Sequence, residues 1–267
     1  MRGAVDAVMN YVAKTGVRPV YHANDHSRDI LTIDARPVTI VDGRETPPSL
    51  AREGFQILAH RSTVRDFTHV PENGELHRGE IHELIRTITG ADEVQVNGSG
   101  VLRFAEKSAL SGKLNNSRPA RFAHVDVSDA TAAEFAAKAT PEGRRLARYA
   151  MFNVWRAITL PPQDVPLAFC DWTSVAAEDL IASDAVFDVD GEAVWSFEGL
   201  TVAANPAHRW TYFSDMTRDE VVIFTTNDSD RARPHCVPHC AFDDARVADE
   251  APPRASLEMR ATALWYA

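Results

Sequence analysis

The chain has 267 residues and is 45% hydrophobic and 25% charged, which is the composition of an ordinary globular protein long enough to bury a full core. Its formal net charge of −10 at pH 7 argues against nucleic acid as a partner, because nucleic-acid-binding surfaces cluster Lys and Arg against phosphates. The three cysteines are an odd and sparse set that favours a reducing compartment over a disulfide framework, so we expect a cytoplasmic protein.

The first 120 residues are predicted to combine helices, short strands and turns. Residues 1–16 read as an amphipathic helix rather than a secretion signal, since an aspartate interrupts their apolar run. An apolar run that ends at Asp42-Gly43 predicts a strand and a turn, and residues 79–90 predict a helix capped by Gly90. No apolar run approaches the roughly 20 residues that a membrane span needs, so we expect no membrane partner.

From about residue 121 the pattern changes to strands. Residues 129–150 predict one helix, and short apolar strands separated by turn signals follow it. Many short strands at a spacing of roughly 8–12 residues indicate a β-sandwich or barrel. We therefore predict a mainly β fold with flanking helices, in one domain over residues 1–267. Residues 121–267 would form its jelly-roll core, and residues 1–120 a helical and β buttress.

The segment 231–244 contains two histidines and two cysteines within six positions: His235, Cys236, His239 and Cys240. A structural zinc site would use all four, but such sites spread their ligands over two separated pairs that close a loop. Pro238 also disfavours a helix on which the two histidines would share a face. We therefore predict that only His239 is a ligand here and that it completes a site begun upstream.

His124 and Asp126 are the candidates for that upstream half. They are two residues apart on a predicted strand, so both side chains point to the same face. With His239 they make a set of two histidines and one carboxylate, the facial triad that leaves open positions on Fe(II). His208 and His235 lie in no spacing that pairs them with a carboxylate, and we expect both to be surface or loop residues.

The last predicted strand carries polar residues on one face at a period of two: Arg254, Ser256, Glu258 and Arg260. This face is consistent with solvent exposure, with Glu258 pairing the arginines. It equally fits a co-substrate site, because a guanidinium forks onto a carboxylate such as that of 2-oxoglutarate. In that interpretation the Ser256 hydroxyl shares the carboxylate with Arg254.

Several segments together resemble one family, the Fe(II)/2-oxoglutarate-dependent oxygenases that include the fungal gibberellin desaturase, a subunit of the cephamycin methoxylase system and oxygenases that tailor meroterpenoids. These segments follow one another along most of the chain as VDGRE, REGFQIL, TGADEVQV, HVDVS, NVWRAI, PLAFCD, WTYFSDMTRDEVVIF, VPHCAFDD and PPRASLEMRA. The resemblance implies a double-stranded β-helix (cupin-like) core and the cofactors Fe(II), 2-oxoglutarate and O2. It implies that His124, Asp126 and His239 bind the metal. It also implies that Arg254 and Arg260 hold 2-oxoglutarate, and it leaves open which of them binds the distal carboxylate.

The segment MFNVWRAITL is a signature of the same family and lies near the metal pocket there. Asn153 and Trp155 share one face of this predicted strand. Trp155 fits a core aromatic equally well, and Asn153 fits a hydrogen-bonding residue at a strand end. Asn153 and Trp155 are therefore candidate cofactor-binding residues. Cys240 departs from the family pattern, in which a threonine or a similar residue is expected after the histidine.

The combined prediction is a non-haem Fe(II)/2-oxoglutarate-dependent oxygenase that oxidises an unactivated C–H bond of a small molecule. The resemblance implies a substrate of secondary metabolism. Two alternatives stay open: an accessory subunit of a two-protein oxygenase system, and a cupin-type metal isomerase. A homodimer, or a heterodimer with a related oxygenase subunit, is compatible with the same resemblance.

Overall fold

Two β-sheets form the framework of the computed structural model, which describes residues 3–68 and 70–267. The strands are β1 (Val5–Val12), β2 (Val20–His22), β3 (Ile33–Asp42), β4 (Phe55–Ala59), β5 (Glu93–Phe104), β6 (His124–Val125), β7 (Leu146–Ala157), β8 (Leu167–Cys170), β9 (Leu180–Val189), β10 (Glu192–Val202), β11 (Trp210–Tyr212), β12 (Glu220–Asp228), β13 (His239–Ala241) and β14 (Ala255–Tyr266). The α-helices are α1 (Val70–Thr89) and α2 (Asp129–Ala139). No helix in the described part of the chain combines the length and the apolar character of a membrane span.

The larger sheet has the strand order β1-β3-β11-β8-β13-β6-β10-β9-β2, and the smaller has the order β4-β12-β7-β14-β5. Strands from the first 120 residues therefore enter both sheets. Aromatic rings from the two sheets meet in a shared core, where Phe169 of β8 lies 5.3 Å from Phe55 and 5.1 Å from Phe224 between ring centroids. The predicted mainly β, jelly-roll fold is confirmed.

Helix α1 covers the outer face of the smaller sheet. Its buried residues Ile81 and Ile85 pack with Leu257 and Met259 of β14. These two residues alternate along β14 with the polar residues predicted to share its other face, so that polar face is turned away from α1. Arg254, Ser256 and Glu258 are all buried. The interpretation of this face as solvent-exposed is therefore wrong.

Two secondary-structure predictions are also wrong. Residues 3–16 are not helical, because residues 5–12 pair with β3 as β1, and burial of Val5, Met9 and Tyr11 follows the period of a strand. Residues 1 and 2 of the predicted helix lie outside the described residues. The helix predicted over residues 129–150 ends at Ala139, and β7 begins at Leu146. Pro141 and Gly143 lie between the two elements and break the helix.

Candidate metal centre and its cavities

Three side chains converge where the short strands β6 and β13 pair near the middle of the larger sheet. The register places His239 directly opposite His124, and Asp126 follows β6. One ligand atom from each of the three residues lies within 4.8 Å of the others. Residues more than a hundred positions apart in sequence thus meet through the pairing of two strands.

Both imidazoles are fixed by backbone carbonyls on the side away from this convergence. The Nδ1–H of His124 donates to the Phe122 carbonyl at 2.9 Å, and that of His239 donates to the Val237 carbonyl at 3.2 Å. The Nε2 atoms then face Asp126 Oδ1 at 3.6 and 3.7 Å. Such contacts fix the tautomer of metal-binding histidines. Burial, followed by the neighbouring His124, lowers the pKa of His239 to about 3, which keeps its ring neutral.

Asp126 has its own set of partners. Asn153 donates from Nδ2 to Asp126 Oδ2 at 2.6 Å, and the Arg260 guanidinium lies 3.4 Å from the same oxygen. Burial alone would raise the pKa of this carboxyl, but Arg260 and the two histidines hold it well below its ordinary value. Arg260 also pairs with Glu258 at 3.1 Å. The carboxylate is therefore ionised and held in place.

A glycine permits the close approach of backbone beside this carboxylate. Gly199 of β10 sits opposite the end of β6, and a Cβ atom there would lie 2.9 Å from the Asp126 carbonyl oxygen and 3.2 Å from that of Val125. Real Cβ atoms rarely come this close to backbone oxygens. Any larger residue would push β10 away from the segment that carries Asp126.

These residues fit a divalent transition metal. Two neutral imidazole nitrogens and one ionised carboxylate are the ligand set of non-haem Fe(II) sites, which leave open coordination positions. No cysteine joins the convergence among the described residues. Cys236 and Cys240 are buried, and burial raises the pKa of the Cys240 thiol to about 12, so it is not a thiolate ligand. The four-ligand zinc arrangement is not formed.

An inner cavity lies beside the two histidines, with Arg103, His124, Trp155, Leu167, His239 and Arg254 in its wall. Arg254 is almost fully buried; its Nε donates to the Val165 carbonyl at 2.7 Å and its Nη1 to Ser256 Oγ at 2.6 Å. Its guanidinium carbon lies 6.0 Å from the centre of the Trp155 ring. Trp155 thus belongs to the core between the sheets and also lines this cavity. The inner cavity presents a buried cation and a hydroxyl side by side.

Two further cavities share wall residues with the inner cavity. The middle cavity includes Asp126 and Arg260 and is walled by Tyr21, Arg103, Phe122 and Phe197. The outer cavity, of about 620 Å³, shares Tyr21 and Phe122 with it and also includes Arg118, Arg121 and Glu106. Ligand residues line the inner and middle cavities, and the outer cavity adjoins the middle one through Tyr21 and Phe122.

Sequence reasoning missed several residues of this site. Tyr21, Arg103 and Gly199 belong to no local pattern that indicates a role, and only the folded arrangement brings them to the ligands. His208 and His235 do lie in loops, as expected, but their side chains are not on the surface. Both are buried beside carboxylates, with His208 Nε2 3.1 Å from Asp179 and His235 Nε2 2.6 Å from Asp129. These pairs are distant in sequence, which spacing alone does not reveal.

Comparisons with known proteins give matches over the whole chain. The family model described as "Oxidoreductase/YMDC permease-like domain" matches residues 9–264. The alpha-ketoglutarate-dependent dioxygenase phiK from Fungal sp. is 29% identical, covering 97% of this chain and 96% of phiK. The hydroxylase/desaturase efuI from Hormonema carpetanum is also 29% identical, over 98% of this chain and 95% of efuI.

A solved structure is similar throughout. The iron and alpha-ketoglutarate-dependent endoperoxidase NvfI superposes with a TM-score of 0.81 at 22% sequence identity, covering all of both chains. The likeness extends to both sheets, and it shows that the two chains share the jelly-roll fold.

Proposed function

The chain belongs to the family described as the oxidoreductase/YMDC permease-like domain, and from this membership we infer that it is a non-haem Fe(II)- and 2-oxoglutarate-dependent oxygenase acting on a small molecule. The relatives confirm the resemblance drawn from the sequence, and with it the predictions of an enzyme, of Fe(II), 2-oxoglutarate and O2, and of a role in secondary metabolism. The observation that carries the assignment to this chain's own residues is the convergence of His124, Asp126 and His239.

These three residues would hold the iron. Iron with 2-oxoglutarate and O2 supplies the oxidising power that breaks an unactivated C–H bond. The protein orients the metal ligands and excludes water. His124 and His239 present Nε2 atoms fixed by backbone carbonyls, and Asn153 and Arg260 hold the ionised Asp126 carboxylate in place. We therefore propose that Asn153 and Arg260 position the carboxylate ligand.

Arg254 would bind the distal carboxylate of 2-oxoglutarate. It is the buried cation in the wall of the inner cavity, beside His239, and among the described residues no carboxylate forms an ion pair with it. Burial lowers its pKa only to about 10, so it stays charged at neutral pH. Ser256 adds a hydroxyl at the same end, and Trp155 closes the cavity with an apolar wall. Arg260, by contrast, is already paired with Asp126 and Glu258.

We propose further that the chain works in the cytoplasm, as its sparse cysteines suggest. Assembly as a homodimer, or with a related oxygenase subunit, and the single-domain organisation over residues 1–267 stay predictions of the sequence. Size-exclusion chromatography with light scattering on the purified chain measures its oligomeric state and so tests the predicted homodimer. Turnover of 2-oxoglutarate by the purified chain alone separates an enzyme from an accessory subunit.

The metal assignment is tested without any knowledge of the substrate. Anaerobic addition of Fe(II) and 2-oxoglutarate to the apoprotein is expected to give a weak metal-to-ligand charge-transfer band in the visible spectrum. His124→Ala and Asp126→Ala should each abolish it. His26→Ala is a matched control, since His26 lines only the outer cavity. Normal binding of iron and 2-oxoglutarate by the His124 and Asp126 variants would show that the ligand assignment is wrong.

A further inference from the structure

We propose that Arg103 and Tyr21 form a recognition site for an acidic oxygen group of the substrate, a carboxylate or an enolate, carried on an apolar ring system. This inference rests on the proposed function, because it concerns the cavity next to the proposed metal ligands. It assigns roles to two residues from the first 120 positions of the chain. Neither belongs to the ligand cluster, and of the two only Arg103 also lines the inner cavity.

The charges around the middle cavity leave one guanidinium without a carboxylate. Asp126 is paired with Arg260, and Asp184 is paired with Arg18 at 2.6 Å. Arg103 makes no ion pair with any described residue. Its Nη1 donates only to neutral oxygens, at 3.0 Å to the Asn116 side chain, 3.2 Å to the Asn116 carbonyl and 2.7 Å to the Arg118 carbonyl. A half-buried cation in a cavity wall is stabilised by an anion that enters the cavity.

Tyr21 supplies a second donor in the same wall. Its hydroxyl is buried and meets no described residue at full hydrogen-bond geometry, although the Arg103 guanidinium lies close enough to act on the pKa of the phenol. A buried hydroxyl without a hydrogen bond is destabilising, so it is typical of a site that a ligand completes. Burial raises the pKa of this phenol, which keeps its proton available for donation at neutral pH. The Tyr21 ring is fixed against His26 and Phe122, each 5.2 Å away between centroids.

The position of the pair relative to the ligands favours substrate over co-substrate. The Phe122 ring contacts both Tyr21 and His124, so Tyr21 stands one ring away from the metal site. Tyr21 lines the middle and outer cavities but not the inner cavity, where Arg254 and Ser256 already provide a carboxylate site. Arg103 lines the inner and middle cavities and can reach the substrate side.

The remaining wall determines the rest of the substrate. Apolar side chains of Phe122, Phe187, Phe197 and Leu200 line the middle cavity beside the two donors. The outer cavity of about 620 Å³ continues from it and has room for a multi-ring molecule. An acidic oxygen held by Arg103 and Tyr21 would fix the ring system by one end and present one of its C–H bonds to the ligand cluster.

The test uses 2-naphthoate and its uncharged methyl ester as probes of the anaerobic Fe(II)·2-oxoglutarate complex. Binding is measured by equilibrium dialysis, and the charge-transfer band reports the co-substrate. We expect the acid to bind at least 10-fold more tightly than the ester. Arg103→Gln should weaken binding of the acid by about 10–100-fold and Tyr21→Phe by about 5–10-fold, while both leave the ester unchanged. Arg86→Gln, an exposed charge change on α1, should leave both probes unchanged.

Several results would overturn the inference. Equal binding of acid and ester, or binding of neither, refutes it, as does an acid affinity that survives both substitutions. Weaker 2-oxoglutarate binding by Arg103→Gln, with naphthoate unaffected, would assign Arg103 to the co-substrate instead. Because Arg103 also holds the segment around Asn116, Tyr21→Phe is the decisive variant, since it removes one hydroxyl and keeps the ring. Failure of the proposed function itself would appear separately, as absence of the charge-transfer band in the unmodified protein.

Discussion

The hydrogen bond from Asn153 to Asp126 should be measurable as iron affinity. Asn153 is 2% exposed and donates to a buried, ionised carboxylate at 2.6 Å. A hydrogen bond to a charged group contributes about 1.5–3 kcal/mol, which corresponds to roughly 10–150-fold in a binding constant. Loss of a residue that orients a metal ligand typically weakens metal binding by about 10–100-fold. We therefore expect Asn153→Ala to weaken Fe(II) binding by one to two orders of magnitude.

The assay is an anaerobic titration of the apoprotein with Fe(II) at saturating 2-oxoglutarate, followed by the charge-transfer band. Asn227→Ala is the matched control, because Asn227 is equally buried and donates to a different carboxylate, Asp129, at 3.0 Å. Both variants lose a buried amide from the smaller sheet and should unfold at similarly reduced temperatures. Only Asn153→Ala should lose iron affinity. An unchanged Fe(II) dissociation constant, or the same loss in both variants, would refute the positioning role of Asn153.

Three further predictions concern the co-substrate, the backbone and the response to pH. Arg254→Lys should weaken 2-oxoglutarate binding at least 10-fold in a titration of the charge-transfer band, because an ammonium group cannot make the two parallel hydrogen bonds of a guanidinium to a carboxylate. An isomerase that uses no co-substrate would show no such loss. Gly199→Ala should lower both the Fe(II) affinity and the unfolding temperature by displacing the Asp126 backbone, whereas Gly79→Ala, which meets nothing within 4 Å, should not. Burial lowers the pKa of His77 from 6.5 to about 4, so between these values the unfolded chain binds a proton that the native state does not. The free energy of unfolding should therefore fall with falling pH over this range. In denaturant titrations at several pH values, His77→Phe should reduce the slope of this free energy against pH by up to about 1.4 kcal/mol per pH unit. An unaltered slope would contradict this prediction.

The sequence predicts the C-terminal part of the fold well because its local patterns agree with its final pairing. The strand beginning at His239 and the long last strand form as predicted, and the strand carrying His124 forms but ends at Val125, before Asp126. The prediction of an N-terminal helix fails because residues 5–12 fit a helical and a strand period about equally. Pairing of this segment with β3 over eight residue pairs decides in favour of the strand.

The candidate ligands can be predicted from local sequence patterns, but the residues that hydrogen-bond or pair with them cannot. A strand period of two places His124 and Asp126 on one face before any fold is known. The contacts of Asp126 with Asn153 and Arg260 depend on two other strands of the opposite sheet, so no spacing in the sequence reveals them. The polar face of β14 shows most clearly what an alternating pattern cannot predict. The same alternation of polar and apolar residues is expected for a strand that faces water and for one that faces a buried polar cavity.

The arrangement separates the residues proposed for chemistry from those proposed for recognition. The proposed ligands and the 2-oxoglutarate arginine lie between His124 and Arg254, on β6 and β13 or directly beside β6 and β14. Tyr21 comes from β2, a three-residue strand at the edge of the larger sheet, and Arg103 lies near the end of β5, the edge strand of the smaller sheet. Substitutions at these edges alter the cavity wall and leave the β6–β13 pairing intact. The same ligand cluster can therefore be combined with different substrate pockets by substitutions at Tyr21 and Arg103, because neither side chain hydrogen-bonds to the proposed ligands.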